Sequence, residues 1–175
     1  MMKKTISILM ITILVAACGG PIDLVNKTVN NYSLGIPNYM TEMDLQNPEA
    51  SFQAGEILKE HYVMVIDETK EDLLAAGLDY TVEDYGNASV DFLKQSLKDS
   101  KVLQSPNGVQ KINGLEAISY KVTGKFPEND LAIFYYLTIY KSESNYYSMS
   151  TWTLGDRESK FTKVMEKMIQ SFKEI

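Results

Sequence analysis

One cysteine, one histidine and one tryptophan stand in 175 residues, and each scarcity removes a class of function. With Cys18 alone there is no disulfide, so the chain must hold its fold by a hydrophobic core. A lone His61 removes histidine-pair metal sites and the serine–histidine and cysteine–histidine arrangements of the commonest hydrolases. The plain reading of His61 is a solvated strand residue beside Tyr62. No glycine-rich phosphate loop is present, since Asn107-Gly108 and Asn113-Gly114 read as hairpin turns. Basic charge is short as well: seventeen Lys and Arg against twenty-three Asp and Glu give −6. Phosphates would repel such a chain, which argues against nucleic acid as a partner. The apolar run at residues 6–15 is also too short for the roughly 20 residues that a spanning helix needs.

What is there begins with that run. Lys3 and Lys4 precede it, and Leu14, Val15, Ala16 and Ala17 lead into Cys18, a pattern that resembles the lipobox of bacterial lipoproteins. The resemblance implies cleavage before Cys18, a diacylglycerol thioether on its sulfur, and N-acylation in many bacteria. Two or three acyl chains give a lasting anchor, at about 0.8 kcal/mol per buried methylene. The expected organisation is a signal peptide at 1–17, the lipidated cysteine and a tether at 18–31, and one domain at 32–175. Without the leader, fifteen basic and twenty-three acidic residues leave −8. Gly19 after the cysteine, rather than Asp, is similar to lipoproteins sorted to the outer membrane in a host with two membranes. In a host with one, the anchor lies on the outer face of the cell membrane.

The remaining pattern changes period along the chain. Residues 32–37 read as a first strand with Tyr32, Leu34 and Ile36 on one face, and residues 50–56 and 60–67 as a hairpin. Two capping boxes follow, Thr69 with Asp72 and Thr81 with Asp84. The first opens a short helix to Gly77 and the second a longer one to about Lys98, with Val82, Tyr85, Ser89, Phe92, Leu93 and Leu97 near one face. β-branched and aromatic residues then dominate four expected strands: 102–104 continuing near 109–112, then 115–125, 131–141 and 146–154. Both alternating sets of 131–140 are mostly apolar, which marks a central strand covered on both faces. Short turns make these neighbours antiparallel. A last helix, capped by Asp156, carries Phe161, Val164, Met165, Met168, Ile169 and Phe172 as one apolar stripe. The fold class is α+β: an antiparallel sheet with helices packed on its faces.

Four stretches carry a further resemblance: INGLEAISYKV at 112–122, FYYLTIYK at 134–141, MIQSFKEI at 168–175, and YSLGIP at 32–37 as the first strand. Together they resemble the PsbP-like fold, a group that includes the extrinsic PsbP proteins of photosystem II, a Ran-binding nuclear import factor and bacterial lipoproteins of the DcrB family. The resemblance implies non-enzymatic adaptor or assembly roles and carries no partner-binding residue onto this chain.

Other chemistry is thin. The acidic groups at 67–72 and 79–84 lack the spacing of a calcium loop and suit solvated helix starts. Glu56, Glu60, Asp67 and Glu116 give no pair singled out for glycoside hydrolysis. Tyr135, Tyr136, Tyr140, Tyr146, Tyr147 and Trp152 lie on two adjoining strands, where they either line a groove for a partner or form core. The expectation is a lipid-anchored, non-catalytic envelope module without cofactor or metal, joined to the membrane through Cys18 and binding another envelope protein. The alternative is a small-ligand-binding envelope protein or an unrecognised hydrolase, whose sign would be a concave pocket between helices and sheet with convergent polar groups.

Overall fold

The computed structural model describes residues 22–104 and 108–175. The expected signal peptide, Leu14 to Ala17 and Cys18 lie outside the described residues. So does part of the tether; its remainder is partly a strand, β1 (Leu24–Val29), paired antiparallel with β2 (Tyr32–Pro37) through a two-residue Asn30-Asn31 turn. Asn30 takes a positive φ of 47° there, a backbone region that asparagine tolerates. YSLGIP is therefore the second strand, not the first.

Among the described residues the main sheet has eight strands. Its path runs β3 (Thr41–Glu42), β4 (Phe52–Glu56), β5 (His61–Thr69), β10 (Asn145–Leu154), β9 (Ala132–Lys141), β8 (Leu115–Lys125) and β6 (Lys98–Gln104), with β7 (Gln110–Ile112) also on β8. Every pairing is antiparallel. Among the described residues three helices join it: α1 (Lys70–Ala75), α2 (Val82–Gln95) and α3 (Glu158–Ser171). This is the expected α+β architecture. Among the described residues, no helix is long and apolar enough to cross a membrane.

Local chemistry fixes the helix starts. Thr81 accepts from the Asp84 amide while Asp84 accepts from the Thr81 amide, a complete capping box for α2 that satisfies two otherwise orphaned donors. At α1 the Thr69 side chain accepts from the Asp72 amide, but Asp72 answers the Thr69 hydroxyl and not its backbone. Asp156 does not cap α3: it lies in a 3-10 turn (Gly155–Arg157), and Arg157 precedes the helix without a side-chain cap. α2 also stops at Gln95, because Lys98 already belongs to β6.

One face of the sheet is covered by α3 and β2 over most of its strands. α3 lays its stripe of Phe161, Val164, Met165, Met168 and Ile169 there, and β2 is buried along its whole length beside it. Phe172, just past the helix, packs on Tyr140 with ring centroids 4.2 Å apart and on Tyr32 at 5.1 Å. The Tyr140 hydroxyl donates to the Ile169 carbonyl at 2.8 Å, which ties helix to sheet. The central strand β9 sends Leu137 and Ile139 to one side and Phe134, Thr138 and Tyr140 to the other, all buried.

Candidate functional site

The other face is only half covered. α2 packs on β6, β8 and β9, where it buries Val82, Tyr85 and Val90 against Ile118, Tyr120 and Leu137. Gly86 makes this approach close, since a Cβ there would lie 2.7 Å from the Tyr120 hydroxyl. Beyond β9 the cover thins, and α1 meets the end of β5. Alternation decides what β10 and β5 show: Ser148, Ser150 and Trp152 from β10, with Met64 and Ile66 from β5, form the floor of a cleft of about 730 Å³.

Its walls come from three segments. α2 contributes Ser89 and Phe92, with Ser96 just past its end, a row one or two turns apart, and Phe92 stands 76% exposed instead of joining the core stripe. Leu73, Leu78 and Tyr80 close one end from α1 and the loop after it, and Leu45, Asn47 and Glu49 face them from the loop between β3 and β4. A smaller hollow of about 330 Å³ adjoins it, sharing Leu45 and Trp152. Between the two runs an aromatic ladder across three strands: Tyr62, Trp152 and Tyr135, each step 5.5 Å with the planes 25° and 27° apart. Stacked cross-strand pairs of this kind hold a sheet face rigid.

Charge in the cleft has one sign. Tyr85 donates its hydroxyl proton to Glu68, and burial followed by that carboxylate pushes its pKa far up, with Glu49 adding to the effect. Neither Glu68 nor Glu49 is ion-paired among the described residues. Among the described residues, no Lys or Arg lines the cleft.

The six candidate aromatics separate. Tyr140, Tyr146 and Tyr147 are core residues, buried on the two faces of the sheet, and are not available to a partner. Tyr146 donates to the Tyr80 carbonyl and Tyr147 to Glu174. Tyr136 is half-buried on the α3 side under the Lys121 ammonium, 4.9 Å from its ring. Only Tyr135 and Trp152 reach the cleft. His61 is not solvated either: it is fully buried on the α3 side, its Nδ1 2.8 Å from the Tyr39 hydroxyl and its ring 4.5 Å from Phe161. Burial lowers its pKa to about 3.

No family model and no curated protein matches the sequence. Solved structures do. The chain is similar to the cyanobacterial PsbP protein (CyanoP) of Synechocystis sp. PCC 6803, at 14% identity over 92% of this chain and 99% of that one, with a TM-score of 0.62. The fold is PsbP-like. Two further solved chains share the arrangement at lower identity. LpqN of Mycobacterium tuberculosis, a protein described as involved in cell envelope biogenesis, matches at 8% identity over 87% of this chain and 91% of its own, TM-score 0.52. The Ran-binding protein Mog1p of Saccharomyces cerevisiae matches at 11% over 87% and 96%, TM-score 0.51. At such identities the likeness carries the fold and no site residue.

Two signals for the cleft stood in the sequence. In β10 the serines alternate with buried residues, so Ser148 and Ser150 leave room over one face. In α2, Phe92 sits between Ser89 and Ser96 on one helical row, off the Val82, Gly86, Val90 side that packs. The Leu45 to Glu49 wall carried no signal, because an irregular loop takes its position from the strands on either side.

Proposed function

We propose that the protein is a lipid-anchored, non-catalytic binding module of the cell envelope, and that the cleft over β5 and β10 is where it binds. The observation that carries this is the uncovered half of the sheet: a PsbP-like domain covers one face with α3 and leaves an aromatic-floored hollow on the other. Its volume lies within the range of small-molecule sites, roughly 300–1,000 Å³, and polar groups from Ser148, Ser150, Ser89 and Glu68 converge on it. That combination favours a small ligand. Binding rather than reaction is supported by the cleft's inventory, in which the hydroxyls have no imidazole beside them and Glu68 is engaged by Tyr85.

A second reading, docking of another envelope protein, draws support from Phe92 and Leu78 exposed on the rim, since such anchors recur at protein interfaces. In either reading the Cys18 lipid raises the local concentration of the cleft at the membrane. LpqN, on the same fold, is described as an envelope biogenesis protein, which agrees with an envelope setting.

Native mass spectrometry of the chain extracted from membranes tests the site, compared with Ser150→Phe, which fills the floor. A bound small mass lost in the variant supports the first reading, a protein partner lost in it the second. An unchanged complement of bound species contradicts both. Cys18→Ala tests the anchor, since unchanged fractionation and mass would contradict lipidation.

A further inference from the structure

Resting on the reading of the cleft as a ligand site, we infer that its ligand is a small amphiphilic organic cation, an ammonium group carried on an apolar body. Three features of the cleft converge on that chemistry.

The first is the floor. Trp152 and Tyr135 offer the edges of stacked rings beside Met64, Ile66 and Leu137. An apolar body fits this surface.

The second is the uncompensated acid. Glu68 sits half-buried at one end of the floor, and its field and that of Glu49 both reach the Tyr85 hydroxyl. The Lys141 ammonium lies over Tyr146 at 5.5 Å and outside the cleft lining. A carboxylate in a partly closed hollow lacks the full solvation it has in water. A cationic ligand compensates it; an anionic one would be repelled.

The third is the sign of the whole lining: Glu49, Asp67 and Glu68 are its charged groups, and among the described residues no Lys or Arg lines it.

The experiment uses the purified chain and the emission of Trp152, its only tryptophan. Octyltrimethylammonium, octyl sulfate and octanol, each below its micelle concentration, share an apolar body and differ in charge. The cation should bind about tenfold tighter than the sulfate, a gap of about 1.4 kcal/mol. That gap should narrow at about 0.5 M salt. Glu68→Gln should reduce the preference; Glu49, whose carboxylate takes part in no hydrogen bond or ion pair among the described residues, checks the same point as Glu49→Gln should loss of Glu68 disturb Tyr85. If sulfate or octanol binds as tightly as the cation, and Ser150→Phe abolishes that binding, the cleft stands and the cation inference is wrong. If no probe binds, or Ser150→Phe binds all three as before, the cleft reading fails and the inference with it.

Discussion

The indole of Trp152 stacks on the phenol of Tyr135, centroids 5.5 Å apart, on a stretch of sheet that α2 leaves open. The serines beside this pair keep the space above it clear. An occupant resting there must change the indole's surroundings, so ligand binding should shift or quench Trp152 emission. Ser150→Phe should abolish the response while leaving stability within about 0.5 kcal/mol, as for a substitution outside the core. A response that persists in Ser150→Phe would place the occupant elsewhere.

His61 makes stability depend on pH. Its pKa is lowered to about 3 by burial, while the unfolded chain takes up the same proton near 6.5. Protonation therefore favours unfolding: this contribution is intact above about pH 6.5 and is lost progressively as pH falls from there toward 3. At pH 5 the loss is about 2 kcal/mol. Urea melts at pH 7 and pH 5 measure it, with His61→Gln as the control. If wild type and His61→Gln lose the same stability between the two pH values, His61 is not the group responsible.

Phe172 is held between Tyr32 and Tyr140, and Tyr147 adds a third ring at 5.2 Å. Phe172→Ala should cost about 3–5 kcal/mol, because a cavity opens among rings that are themselves hydrogen-bonded and unable to collapse. A loss below about 1 kcal/mol by chemical denaturation would show that α3 is docked mainly by other residues.

Thr81→Ala removes half of the α2 capping box and should cost about 1 kcal/mol. Since α2 is a cleft wall, hydrogen exchange should quicken in its first turn, and ligand affinity should weaken with it. Unchanged exchange there would mean that packing on Tyr120 and Ile118, and not the cap, sets the helix start.

Legibility in the sequence followed the strength of the local signal. β8, β9 and β10 fall within a residue of their expected bounds, because uninterrupted alternation between firm turns leaves little freedom. The α3 stripe is equally plain. β1 was missed since Asn26, Lys27 and Thr28 give it no apolar face, and its place comes from pairing with β2 across Asn30-Asn31. His61 was misjudged from its polarity alone, though it shares a strand face with Val63 and Val65, both fully buried. For the proposed cleft, aromatic content marked strands that line it and overstated the surface, as Tyr140, Tyr146 and Tyr147 turn into the core. Which half of a sheet a helix leaves bare is a tertiary outcome. No single strand encodes it.

The most direct test places a photoreactive residue at Ser150, on the cleft floor, and a second at Lys163, exposed on the outer side of α3. Both variants are expressed with Cys18 intact, irradiated in cells, and recovered from membranes for mass spectrometry. A recurrent adduct at position 150 that is absent at position 163, and absent when Phe92→Ser removes the cleft's exposed wall residue, is the result predicted. Equal labelling at both positions, or none at position 150, would contradict the cleft as the place where this protein binds.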